Sequence, residues 1–149
     1  MPQSASSTAS LPGVPVTVSA VVRASPDAVF SAWTTPETMR RWGVTEFTNE
    51  PRAGGRYRQE TRMGDDVHVV SGEYRAWVPG RRLVMTWEYA GPGSVPSHAL
   101  VTVDLRDDGA GGTRVTVTEE PVDPAGVADA EAAWSGALAA LDELLSGGW

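Results

Sequence analysis

The sequence predicts an α+β domain: a curved antiparallel sheet of about six to seven strands, two short helices and one long C-terminal helix. Three observations carry this expectation. First, residues 123–146 place Trp134, Leu138, Leu141 and Leu145 at helical spacing, one apolar stripe flanked by Ala130, Ala133 and Ala137. Second, most of the preceding chain alternates apolar and polar residues in runs broken by Gly- and Pro-bearing turns. Third, two helix starts, Ser25-Pro26-Asp27 and Thr35-Pro36-Glu37, follow each other directly after the first strand.

Taken in order, residues 14–23 set Val14, Val16, Val18, Ala20 and Val22 on one face of a half-buried strand. In the first helix Val29, Phe30 and Trp33 face inward. In the second, Met39 and Trp42 face inward, Arg40 and Arg41 outward, and Gly43 ends it. Residues 44–49 form a weak strand, and Gly54-Gly55 turns the chain. Residues 56–63 then alternate sharply, with Tyr57, Gln59, Thr61 and Met63 opposite Arg56, Arg58, Glu60 and Arg62. Residues 67–78 make a long strand with a bulge expected at Gly72, beyond which the faces cannot be assigned. Leu83, Met85, Trp87 and Tyr89 face inward on the next strand. After a loop at 91–96, Ala99, Val101, Val103 and Leu105 do the same, followed by Val115 and Val117. Asp123 caps the long helix, Pro124 takes its first position, and Gly147-Gly148 follow its last periodic residue.

Composition narrows the function. There is no cysteine, which excludes disulfides, thiolate catalysis and cysteine-ligated zinc and fits a cytoplasmic setting. All 12 basic residues are arginine, as codon bias in a GC-rich bacterial genome would produce. The net charge of -7 argues against a nucleic-acid partner. Arginines crowd into residues 52–82, so a local anion site stays open. No run is long and apolar enough to cross a membrane. The expected division is a disordered tail at 1–13, one domain at 14–146 and a short tail at 147–149.

A cylindrical helix laid on a concave sheet leaves a gap, the default ligand site. Polar residues facing that gap are informative, because an unpaired buried amide costs about 1–3 kcal/mol. Gln59 and Thr61 are such residues. Glu119 continues the inward parity of Val117 and is a candidate acid or base, with a solvated strand end as the plainer reading. Trp87 and Trp134 are the aromatic residues best placed to line a pocket. Trp42, Tyr57, Met85, Val101, Val117 and Leu138 complete the expected lining. His68, near a turn, and His98, with outward parity, read as surface residues. Asp65-Asp66 and Asp107-Asp108 read as hairpin turns without calcium-loop spacing. No nucleophile–base motif, metal set or cofactor motif is visible, so no catalytic residue, metal or cofactor is assigned.

Several segments together resemble a known family. They are Ala24-Ser25-Pro26-Asp27-Ala28-Val29-Phe30-Ser31-Ala32-Trp33-Thr34-Thr35-Pro36-Glu37 with Arg41-Trp42, then Arg52-Ala53-Gly54-Gly55-Arg56-Tyr57 and Gly72-Glu73-Tyr74. Pro79-Gly80-Arg81-Arg82-Leu83-Val84, Thr86-Trp87, Gly112-Thr113-Arg114-Val115-Thr116-Val117 and Trp134-Ser135-Gly136-Ala137-Leu138 continue the pattern. In order and spacing the chain resembles the START-like, or SRPBCC, superfamily of birch-pollen-allergen-like proteins and polyketide cyclases. Within it, the chain is most similar to single-domain bacterial homologues of the activator of heat-shock-protein-90 ATPase. The resemblance implies a helix-grip fold that binds apolar molecules between sheet and helix. Two departures bear on function. Many relatives carry His where Glu119-Glu120-Pro121 stands. The co-chaperone has a further N-terminal domain where this chain has only a short tail, which weighs against a chaperone partner.

The function expected first is a non-catalytic binding module for an apolar or amphipathic small molecule. A cyclase- or hydrolase-like enzyme using Glu119 comes second, and a chaperone-related protein-interaction domain third. A homodimer is left open.

Overall fold

The computed structural model describes residues 13–93 and 97–146. The expected tails at 1–13 and 147–149, apart from Gly13, and part of the loop at 91–96 lie outside the described residues. The chain runs β1 (Val14–Val22), α1 (Pro26–Thr34), α2 (Pro36–Arg41), β2 (Glu46–Asn49), β3 (Arg56–Met63) and β4 (Asp66–Val78). It continues through β5 (Arg82–Ala90), β6 (Ser97–Asp107), β7 (Thr113–Val122), a 3-10 turn (Pro124–Gly126) and α3 (Val127–Ser146). All strands pair antiparallel in one seven-stranded sheet, ordered β1-β7-β6-β5-β4-β3-β2. The first strand thus closes beside the last, and β2 forms the other edge.

Local chemistry sets the joints. Ser25 Oγ accepts the Ala28 N–H at 3.2 Å and caps α1. Thr35 is extended at φ -117° and ψ 136°, the backbone that a following proline enforces. It therefore stops α1 and starts α2 in one step. Gly43, at φ 103°, lets the chain leave α2 toward β2.

The odd-numbered residues of β5, β6 and β7 line the concave face, where Leu83, Val101, Val103, Val115 and Val117 are buried. α3 packs chiefly on β1, with lesser contacts to β7 and α1. It buries Trp134, Leu138 and Leu141 there. Among the described residues no helix is long and apolar enough to cross a membrane.

The structure corrects four local expectations. Gly72 keeps its register opposite Tyr57, and the irregularity falls between Tyr74 and Ala76. Glycine is needed at 72 for another reason: a Cβ there would lie 2.0 Å from the Thr86 carbonyl oxygen. The Tyr57 hydroxyl donates to that same carbonyl, so its ring passes over Gly72 to reach β5. Met63 is 64% exposed, because the concave face runs out at the β3–β4 hairpin. Asp123 does cap, accepting the Ala125 N–H at 2.9 Å, but it caps the 3-10 turn, and α3 begins only at Val127. The weak strand expected over 44–49 begins at Glu46.

Candidate functional site

A cavity of about 330 Å³ lies between α2, β3, β5 and α3, at the end of the concave face away from the Phe30 cluster. Trp33, Met39, Trp42, Gly43 and Val44 form its helical wall. Ala133, Trp134 and Ala137 of α3 form the opposite wall, and Gln59, Thr61 and Trp87 come from the sheet. None of these side chains is ionisable.

The tryptophans are held by one another. Trp33 and Trp42 meet edge to face at 4.9 Å between ring centroids and 86°. Trp87 and Trp134 meet at 5.5 Å and 55°. The Trp134 indole Nε1–H donates to Glu119 Oε1 at 2.8 Å, which fixes the ring across the sheet–helix gap. Ala133 and Ala137 flank it on α3 with side chains too short to fill the space. Gln59 and Thr61 are half-buried and face the cavity from β3. Among the described residues, no side-chain hydrogen bond is formed by either.

Next to the cavity, His68 stands opposite Thr61 across β3 and β4, so it too is on the concave face. It is half-buried, not a surface histidine as its sequence position suggests, and its Nδ1 lies 2.7 Å from the Tyr89 hydroxyl. Gly91 makes room for this pair, since a Cβ there would come within 2.2 Å of the hydroxyl. His98 is exposed. Deeper in, burial pushes the Tyr57 phenol well up from its ordinary range and the Tyr74 phenol up to about 12. Both stay neutral at any physiological pH; the Tyr57 hydroxyl donates to the Thr86 carbonyl, and the Tyr74 hydroxyl accepts from Asn49 Nδ2 at 3.0 Å.

Of the residues expected to line a pocket, Trp42, Gln59, Thr61, Trp87 and Trp134 line this cavity. Tyr57, Met85, Val101, Val117 and Leu138 share the face but lie in the packed core. Glu119 stands behind Trp134 as its hydrogen-bond acceptor. Strand parity identifies a face, not how closely the helix covers it, and α3 presses on β1 while leaving the β3 side free. Sequence reasoning missed Trp33, Met39, Gly43, Val44, Ala133 and Ala137 as lining. The alanine pair four apart beside Trp134 was the available signal, a small-residue notch in an otherwise large stripe.

Residues 23–146 match the family described as Activator of Hsp90 ATPase homolog 1-like protein. The chain belongs to this family. It has the helix-grip arrangement. Protein Mll3558 from Rhizobium loti is 31% identical, with a TM-score of 0.72 over 86% of this chain and 94% of that one. DynU16, a protein of the dynemicin biosynthetic locus, is 26% identical with a TM-score of 0.73. The match covers 92% of this family member and 49% of DynU16. The Aha1 dimer from Colwellia psychrerythraea shares the fold at 18% identity and a TM-score of 0.72, over 91% of this chain and 98% of that one. No curated protein matches the sequence.

Proposed function

We propose that this family member binds an uncharged apolar or amphipathic small molecule in the cavity between its sheet and α3. One observation carries the reading. Gln59 and Thr61 present half-buried polar groups to an aromatic-walled space and find no side-chain partner among the described residues. Their polar atoms still reach solvent, since no fully buried side-chain polar atom among the described residues lacks a partner, and a ligand hydroxyl or carbonyl would take the place of that water. The walls are indole faces and methyl groups, so the remainder of the ligand is apolar. At about 330 Å³ the space is at the lower end of small-molecule sites. Likeness to a protein of the dynemicin biosynthetic locus supports a small-molecule role over a purely structural one.

The test is a panel of neutral aromatic and aliphatic compounds followed by tryptophan quenching and thermal shift. Hits should saturate on the native protein and vanish on Ala137→Trp, which fills the notch beside Trp134. Hits that survive Ala137→Trp would place binding elsewhere, and an absence of hits would end the proposal.

An enzymatic reading would rest on Glu119, but its carboxylate is already engaged in orienting Trp134. Glu119→Gln keeps an acceptor for the indole. Turnover of any bound compound that is lost in this variant would favour catalysis. A chaperone-related interaction becomes the stronger reading only if the cavity takes no ligand and a chaperone co-purifies. We place the protein in the cytoplasm. A homodimer, as described for the Colwellia relative, is checked by light scattering.

A further inference from the structure

The crowding of arginines along residues 52–82 points to an anion site in the sequence, but most of those side chains are paired with carboxylates, Arg58 and Arg62 sharing one. Arg52 pairs with Glu50 at 3.8 Å, Arg58 and Arg62 with Glu60 at 3.2 and 2.9 Å, and Arg75 with Glu73 at 3.1 Å. Three arginines without an ion pair, one of them at the end of that run, gather on another surface. Arg81, Arg106 and Arg114 form no ion pair among the described residues. With Arg82 they line one open depression of about 840 Å³ on the outer face of the sheet, opposite the aromatic cavity.

The arrangement runs against what strand pairing favours. Arg106 and Arg114 are direct cross-strand partners, a like-charge pair that destabilises a sheet. One carboxylate lines the depression, Asp104, and it sits 3.7 Å from Arg82. Asp107 and Asp108 follow in the β6–β7 turn, where their oxygens accept the backbone N–H groups of Gly109, Ala110 and Gly112 at 2.7–2.9 Å; these backbone donors and, less, the Arg114 charge hold the Asp108 carboxyl below its ordinary range. Asp27 is turned against Gly80 at the rim. Hydroxyls lie beside it: Arg114 Nη1 donates to Ser19 Oγ at 3.4 Å, and Ser19 Oγ is 3.1 Å from Thr116 Oγ1, which lines the depression.

We propose that this depression is an oxyanion site for a phosphate-type group, held between the guanidiniums of Arg81, Arg106 and Arg114. Guanidinium forks match the paired oxygens of phosphate. The chain's net charge of -7 argues against a nucleic-acid partner, so the group held is a single phosphate, of a phosphorylated metabolite or of a phospholipid headgroup. The site is on the other face of the sheet from the aromatic cavity and does not depend on what that cavity holds.

Isothermal titration with inorganic pyrophosphate at fixed ionic strength tests it, with vesicles as a second arm. Saturable binding should weaken about tenfold or more in Arg106→Glu and change less than about twofold in Arg40→Glu, an exposed arginine outside the depression. Arg106→Glu also turns the like-charge pair into an opposite-charge pair, so the variant should melt no lower than the native protein. That separates lost binding from lost folding. Co-sedimentation with phosphatidylglycerol vesicles that is abolished in Arg106→Glu would identify a headgroup. Pyrophosphate binding without sedimentation would identify a soluble phosphate. Absence of both, or equal weakening in Arg40→Glu, would overturn the site.

Discussion

The two ends of the concave face use the same residue types and reach opposite results. At one end Phe30, Trp77, Tyr74 and Tyr57 pack ring to ring, with centroids 4.9–5.3 Å apart, and Tyr74 is 1% exposed. At the other end Trp33, Trp42, Trp87 and Trp134 are about as close in pairs, yet they stand around a hollow. The difference lies in the gaps between the rings. The packed rings belong to a continuous core in which large side chains such as Leu83, Leu105 and Leu141 are buried. The hollow end has Ala133, Ala137 and Gly43 where large side chains would be needed, and two polar residues facing the space. Aromatic content alone does not make a core. Whether the rings enclose a solid or a void depends on the small residues beside them.

The sharpest way to break this contrast is to remove volume from the packed end. Leu138 is 0% exposed, so Leu138→Ala should cost about 2–5 kcal/mol in urea denaturation. A cost well under that range would mean the core at α3 is as loose as the cavity. The next effect concerns the strut between the two ends. Glu119→Ala leaves the Trp134 N–H, in a residue 9% exposed, without its acceptor, and should cost about 1–3 kcal/mol. Glu119→Gln should recover most of that. If both variants lose the same stability, the negative charge matters rather than the hydrogen bond.

The sequence made the element order legible because each signal was local. Proline-started helices, alternating strands and one stripe ending before Gly147 needed no tertiary knowledge. Inward parity held at Tyr57, Gln59 and Thr61 of β3, which is why the two polar residues could be singled out, and failed at Met63, where the face runs out. What parity could not supply was depth. Val101, Val117 and Leu138 are indistinguishable from lining residues by pattern, and only the tilt of α3 toward β1 separates them. His68 shows a second limit: its sequence position beside a turn suggested solvent, while its register opposite Thr61 places it on the concave face. Gly72 shows a third. Its glycine was visible, but a close backbone approach to Thr86 and a bulge leave the same mark in a sequence.

A smaller effect probes the hollow end directly. Gln59→Leu replaces a half-buried amide that lacks a side-chain partner among the described residues. It should leave stability unchanged or raise it by up to about 1 kcal/mol, while weakening any ligand that uses the amide. Stability and binding moving in opposite directions would mark the residue as one retained for function. A clear loss of stability would show instead that the amide is structural, and the hollow would resemble the packed end after all.

The smallest effect tests how α3 is held over both ends. Arg23, just after β1, gives its backbone N–H to Asp142 Oδ1 at 2.8 Å, and its guanidinium reaches both carboxylate oxygens at 3.3 and 3.1 Å. Asp142 lies toward the C-terminal end of α3, where the helix dipole disfavours an acid, so the arginine offsets an intrinsic penalty. The side-chain hydrogen bonds from Arg23, then its backbone N–H, hold the Asp142 carboxyl below its ordinary range. A depressed folded value means the pair contributes fully above the unfolded carboxyl pKa of about 3.9 and is lost as pH falls through the lower folded value. The Arg23 side chain is 69% exposed, so solvent screens the pair and its contribution is the least of these. Asp142→Asn should therefore lower the urea midpoint slightly at pH 7, with the gap closing in acid below about pH 4. A gap that persists at low pH would assign the contact to hydrogen-bond geometry instead of charge. In that case the helix is latched over its cavity independently of pH, and ligand affinity should show no acid-side loss from this joint.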